Sequence, residues 1–555
     1  MSPIPFMSLF TRDAAARHTI VQSSSRRASN RVEEVLTLIR GTSRGTSGAV
    51  EDQRAVGLSD ILSHGARIFS PDVQATPKLF ARSRQVAHIN YFVSHSWSAP
   101  RIDKYGGLLY RFNLVPALVA MHIAALAAAI GFVAGVLPPM ATLAAADMPG
   151  VRLPFGAYAQ LAGTVAFVVV LLGWGWVVRG DCFLDKMCID QQDSDAKARG
   201  IDQIGRFLRN SEELLILWSP DYFLRLWCCF EVAVYLHFLR LGDMEPGALE
   251  RQLVAQPLRK MVIVPLPLVR VGLLLTLLSF GPLTFRLFTL ACDVEVYGFW
   301  YTAIHSASVL LSCVPMSLFF REFAAQRREL DRQLRSFTFS EARSYSEEDR
   351  SMLREIISET YRSGAGGAGV AFSPDDDGIA RFERQLRSHM PAVVNSLLGR
   401  PSVLPPKLLA LFSSALWLYN LDDIAARASL PAAVFDGAHG RALYLAAYTV
   451  ALFTFSFGVV PLMGTTSISL AVRLQRVPCG GELGVYALMF LSPAAVFIGG
   501  FSLCQGLCKT LPSALSIPAN LIVLGVALAL NSIRSSPCRR WSTKRKVVSL
   551  AVVLN

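Results

Sequence analysis

Charge is what this chain has least of. Asp, Glu, Lys and Arg make up 17% of its 555 residues, against about 25% in an ordinary soluble domain. One soluble globule is therefore excluded. Cysteine is present but unorganised: ten are scattered along the chain, in no spacing that builds a secreted disulfide framework. Cys182, Cys188, Cys228 and Cys229 also lack zinc-site spacing, so buried reduced thiols are expected there and no metal. The amino terminus has no short apolar run leading to a small-residue cleavage site, and no signal peptide is expected. Recognition helices, zinc-finger spacings and RNP-like motifs are missing as well. Nucleic acid is not an expected partner, despite a net charge of +13.

What is present in excess is apolar side chain. Hydrophobic residues reach 52% and mean hydropathy is +0.40. They collect in blocks, as expected when lipid is the apolar solvent. Runs of roughly 20 residues give eight candidate spans, near 114–137, 157–178, 268–290, 297–320, 404–420, 442–463, 484–504 and 513–532. The fifth is the shortest, with Asp422 and Asp423 expected at its solvated end. His122 and His305 fall in spans one and four. Such residues are functional candidates, although neutral His hydrogen-bonding between helices also explains them. Lys and Arg gather in alternate connections, among them Arg327, Arg328, Arg332 and Arg335, then Arg473 and Arg476, then Arg539, Arg540, Lys544, Arg545 and Lys546. The positive-inside rule then puts both termini and the larger loops in the cytosol, in a multi-pass protein whose first partner is the lipid bilayer.

The resulting organisation is a disordered basic tail at 1–85, soluble pieces at 86–113 and 180–266 around a transmembrane hairpin at 114–178, and a second hairpin at 267–320. A cytosolic helical region at 321–403, a four-helix membrane region at 404–532 and a basic tail at 533–555 follow. The soluble pieces alternate strand and helix. His88 to Trp97 reads as an apolar strand opening into a polar turn, and Cys182-Phe-Leu-Asp185 as a second strand. A helical stretch near 200–210 carries Ile201, Ile204, Phe207 and Leu208. Glu213 to Ser219 is a buried-strand run, 226–239 an amphipathic helix, and Met261 to Val264 a fourth strand. This alternation predicts an α/β, doubly wound parallel sheet. Residues 336–362 are a candidate source of a fifth strand.

Phe92-Val-Ser-His-Ser-Trp97 resembles the first strand and loop of Toll/interleukin-receptor (TIR) domains. Arg199-Gly200 with Ile204, Leu208 and Ser211 resembles that family's loop and helix after its second strand. Leu214 to Ser219, Tyr222 and Trp227-Cys228-x-x-Glu231 resemble its third strand and signature helix. The likeness covers about 90 residues outside the membrane blocks. It departs from the family in four places: two spans interrupt the fold, the charged loop from Asp185 to Gly200 is longer than the family norm, Arg225 stands where Ser is common, and the fourth strand runs almost directly into span three, so the last strand is missing locally. A flavodoxin-like domain is thereby implied, self-associating into homo-oligomers with the charged loop 186–199 contacting the next copy. In enzymatic TIR domains the glutamate matching Glu231 serves cleavage of NAD, here a substrate and not a cofactor. An anion near the ribose stabilises the oxocarbenium character of that reaction. The resemblance makes Ser94, His95, Trp227, Ser219 and Tyr222 the surrounding contacts. It equally allows Trp227 as a core anchor and Glu231 as an ordinary helix residue, since many TIR domains only associate. The competing class is a channel or transporter whose TIR-like domain regulates it, because eight spans exceed what an anchor needs.

Overall fold

The computed structural model describes residues 53–144, 150–173, 179–238, 260–270, 319–344, 346–363, 377–398, 405–474, 499–508 and 510–535, with isolated positions beside them. The chain forms two units. One comprises Met1–Met121, Thr164–Leu274 and Ala325–Leu397; the other comprises His122–Gly163, Leu275–Ala324 and Leu398–Asn555. Most of spans three, four and seven, His305, and the 533–555 tail beyond residue 535 lie outside the described residues.

The first unit is built on a six-stranded sheet. Its strands are β1 (Arg54–Gly57), β2 (Arg84–Gln85), β3 (Ile89–His95), β6 (Asp181–Phe183), β7 (Ser211–Trp218) and β8 (Lys260–Pro265), in the order β2-β1-β6-β3-β7-β8. The remaining two, β4 (Ala141–Ala144) and β5 (Arg152–Phe155), form a separate hairpin in the second unit. Strands β6, β3, β7 and β8 are parallel, with Phe92 opposite Phe183 and Leu214, and Leu215 opposite Val262. Thus the two soluble pieces meet in one sheet, across the intervening apolar hairpin.

Three expectations about this unit need correction. The sheet is mixed and not wholly parallel, because β1 runs antiparallel to β6 and β2 antiparallel to β1. Those two strands come from the stretch taken for a disordered tail. From residue 53 onward that stretch is folded: Ala55 and Val56 are buried, and Arg54 donates to the Ser83 side chain and carbonyl at 2.7 and 2.5 Å. Nor do residues 336–362 supply a strand. They form a short 3-10 turn at Phe339–Glu341 and a helix at Glu347–Ser363, and among the described residues their β pairing is confined to an isolated bridge between Arg225 and Arg343.

The helix Leu226–Phe238 explains why that outer helix exists. Its sequence is apolar nearly all round, so one covered face is not enough. Leu226, Cys229, Phe230, Val232, Ala233 and Tyr235 are all buried. The sheet covers one side. On the other, Tyr361 of the Glu347–Ser363 helix donates its hydroxyl to the Ala233 carbonyl at 2.9 Å. The sheet's opposite face takes the helix Arg101–Leu108, where Gly107 permits close approach. A Cβ there would stand 2.7 Å from Leu266 and 3.3 Å from Val264.

In the second unit the described elements are helical, apart from the β4–β5 hairpin. Among the described residues three helices are long and apolar enough to cross a membrane: Arg101–Val133, which runs into this unit, Ala438–Leu470 and Ser513–Leu530. They coincide with spans one, six and eight. Span two is a shorter apolar helix, Tyr158–Gly173. Span five is the helix Pro406–Ala428, which extends past the expected end. Asp422 on it is buried, not solvated. Its carboxylate accepts the backbone N–H groups of Ala159 and Gln160 at 2.7 and 3.1 Å, capping the Tyr158 helix. Asp423 accepts a hydrogen bond from the Tyr448 hydroxyl and pairs with Arg427 at 2.5 Å.

Along the apolar helices the exposed side chains are themselves apolar. Val115, Val119, Ile123, Leu126 and Ile130 stand out on one helix, and Val165, Val169 and Leu172 on another. Spacings of three and four put each set on a single stripe. Water is a poor solvent for such stripes, and lipid is a good one.

Candidate functional site

The tip of β3 places two of the expected contacts next to each other, Ser94 and His95. A strand alternates its side chains between faces, so neighbours in sequence point apart. The structure accordingly separates them. Ser94 faces the Leu226–Phe238 helix, and His95 faces Phe69 and the Arg101–Leu108 helix. Two sites result, not one.

On the inner face, Ser94 donates its hydroxyl to the Glu231 carboxylate and also contacts the Tyr222 hydroxyl. Ser94 and Tyr222 are fully buried; Glu231 is half-buried as a residue, with its carboxyl end directed inward onto Ser94. Desolvation therefore raises the Glu231 carboxyl to about 8. The Ser94 hydrogen bond pulls back toward the ionised form, and the charge of Asp185 adds to the rise. Burial likewise holds the Tyr222 phenol and the Cys228 thiol well above their ordinary ranges, with Glu231 reinforcing both. Cys228 stays a thiol and reaches the His95 carbonyl at 3.6 Å. Trp227 is turned to other partners: its indole N–H reaches Asp349 at 3.4 Å and its ring meets Phe230 edge-on at 5.8 Å.

Ser219 lies at the end of β7 and donates to Asp221 at 2.7 Å. Asp221 also receives the hydroxyls of Ser96, at 2.6 Å, and Ser98. Burial pushes this carboxyl up, but the three serine hydroxyls outweigh it and settle it at about 2. Ser219 thus tightens the loops at the strand ends, beside a hollow of about 410 Å³ lined by Pro220, Leu224, Arg225 and Arg343.

On the outer face lies a cavity of about 420 Å³, at the carboxyl edge of β3 and β6. This edge is where open α/β sheets take ligands. His95, Trp97, Lys104, Leu184 and Lys186 line it, and residues 68–75 strap across it. Burial lowers the His95 imidazole to about 4, against the pull of Asp185, so it is neutral at pH 7. Burial also lowers the Lys104 ammonium to about 8. Lys186 donates to the Ile68 and Ser70 carbonyls at 3.1 and 3.2 Å, and Gln192 to Ala75 at 2.6 Å, holding the strap down. The stretch from 186 to 199 is consequently not a long loose loop. It is largely two helical segments, Asp185–Cys188 and Ser194–Asp202, the latter capped by Asp193.

Of the expected site residues, the structure joins Ser94, Tyr222 and Glu231, and sets His95, Trp227 and Ser219 in three other environments. Sequence reading missed Lys104, Lys186, Asp185 and the whole 68–75 strap. The alternation of β3 could have separated Ser94 from His95. Nothing local marks Lys104, whose importance arises only from burial. Among the described residues no group of three or more His, Cys, Asp or Glu side chains is placed to hold a metal ion. No family model, curated protein or solved structure matches this chain.

Proposed function

We propose that the chain is an integral-membrane signalling protein whose sheet unit is TIR-like and works through self-association. The observation that carries this reading is the contact between Ser94 and Glu231. It brings the tip of the first parallel strand against the Trp227-Cys228-x-x-Glu231 helix, although the two are encoded on opposite sides of an apolar hairpin. Strand order β6-β3-β7-β8, with helices on both faces, supports the same reading. Lys and Arg in alternate connections support eight spans with both termini in the cytosol.

Cleavage of NAD at Glu231 is the second reading, favoured by a carboxyl shifted to about 8. Strongly perturbed acids cluster at catalytic sites. Yet stabilising an oxocarbenium ion calls for a carboxylate, and the group described here holds its proton at pH 7. Catalysis would require assembly to open the Ser94 contact and ionise Glu231. Channel or transporter activity is the remaining class. It draws on buried polar pairs between apolar helices, such as Asn420 with Ser456 at 3.0 Å.

The test uses full-length protein in nanodiscs, with crosslinking and nicotinamide release measured together. Wild type should crosslink into homo-oligomers. Nicotinamide release that Glu231→Gln abolishes establishes the enzyme. Oligomers without release establish the association module alone. Monomers without release, with ion or solute flux in liposomes, would overturn the proposal in favour of transport.

A further inference from the structure

Lys104 is 1% exposed and lines the 420 Å³ cavity, yet among the described residues it forms no ion pair, and Asp185 acts on it only through its field. Its ammonium has three N–H donors. One reaches the Trp97 carbonyl at a long 3.4 Å, and the Phe69 ring face stands 5.3 Å away. An ammonium removed from water without a partner is costly. Several other polar groups around this cavity have partners. Lys186 and Gln192 hold the strap, and Asp185 accepts the Trp97 indole N–H at 2.8 Å. The turn just before the strap carries strain: His64 and Ala66, on either side of Gly65, each take φ of 53°, in the left-handed region. Arg101 fixes that turn by donating to the Gly65 carbonyl at 3.0 Å.

We infer that this cavity is a binding site for a small aromatic anion, with Lys104 meeting its phosphate or carboxylate and Trp97 and Phe69 walling its ring. A cationic group backed by aromatic walls suits a planar ligand carrying negative charge. The volume falls in the range of small-molecule sites. The inference stands apart from the TIR-like reading. The cavity lies on the opposite face of β3 from Glu231, and Glu231 does not line it.

The experiment measures calorimetric binding and thermal shift on full-length protein in nanodiscs, using matched probes. AMP and adenosine differ in a phosphate, nicotinate and nicotinamide in a carboxylate. At least one anion should bind wild type about tenfold or more tightly than its neutral counterpart. AMP alone would assign a phosphate ligand, and nicotinate alone a carboxylate. Lys104→Met should lose that preference, and Lys104→Arg should keep it. Glu231→Gln should bind as wild type does, which keeps failure of this site distinguishable from failure of NAD cleavage. Lys104→Met removes a buried charge and so should remain folded; its unliganded melting temperature should be equal or higher, with the ligand-induced rise gone. Binding of neither anion to wild type, equal binding of the neutral probes, or undiminished anion binding by a folded Lys104→Met overturns the inference.

Discussion

Glu231 carries its proton at neutral pH because its carboxyl has exchanged water for Ser94 and a packed helix face. That has a thermodynamic consequence. The folded value is raised to about 8, above the unfolded one. The folded state therefore binds more protons across the interval between them, and stability falls as pH rises. The stabilising contribution is complete below the unfolded value of about 4.3 and is lost as pH climbs through about 8. Wild type should thus show a melting temperature that declines from about pH 6.5 to about pH 8, above the range in which His95 titrates oppositely. Glu231→Gln, a near-isostere that cannot ionise, should flatten most of that decline. An unchanged slope in the variant would mean that Glu231 ionises freely. His95 behaves differently. Its folded value of about 4 lies below the unfolded value of about 6.5, so it adds stability that rises with pH between the two and is complete above about 6.5.

At the scale of elements, a half-buried ion pair ties strand to helix on the amino side of the sheet. Arg111 donates to Glu213 through Nε at 3.1 Å and Nη2 at 2.7 Å, and Glu213 is buried near the start of β7. The bidentate geometry satisfies a carboxylate that water cannot reach. Arg111→Ala should destabilise the sheet unit by about 3 kcal/mol, seen as a lower denaturant midpoint. Replacing both partners with apolar residues should recover most of the loss; no recovery would show that the pair itself stabilises. The parallel strands were legible in sequence because Leu214 to Trp218 and Met261 to Val264 are continuous apolar runs, as strands buried on both faces must be. By contrast, β1 and β2 were hidden. Arg54-Ala-Val-Gly57 is too short to show a period, and its surroundings are rich in Ser and Arg. The Glu347–Ser363 helix carries a readable amphipathic pattern, but not its target, since covering a second face of the Trp227 helix is a tertiary requirement. The inner site was legible through Ser94, Tyr222 and Glu231. Lys104 was not, because an unpaired buried charge is a property of the fold.

Taken whole, the molecule joins a sheet unit of ordinary soluble chemistry to helices that expose apolar stripes. Ile123 is 65% exposed on its helix, and Val169 63% on another. Such side chains should face acyl chains. The protein should remain in the membrane pellet after an alkaline carbonate wash. Replacing both residues by Lys should reduce the inserted fraction, since each charge at bilayer depth costs about 3 kcal/mol by insertion scales. Release of the wild type by carbonate would end the membrane reading.

The pairing of β3 with β6 also constrains how the protein is made. Residues 96–180 intervene between these neighbours, and that stretch contains two apolar helices. During synthesis β3 leaves the ribosome with its partner not yet translated. Under the topology proposed above, both helices must be handed to the insertion machinery before β6 can emerge on the side where β3 waits. That topology would couple maturation of the sheet to membrane integration, so that a hairpin stalled at the translocon would leave half a sheet exposed to chaperones and proteases.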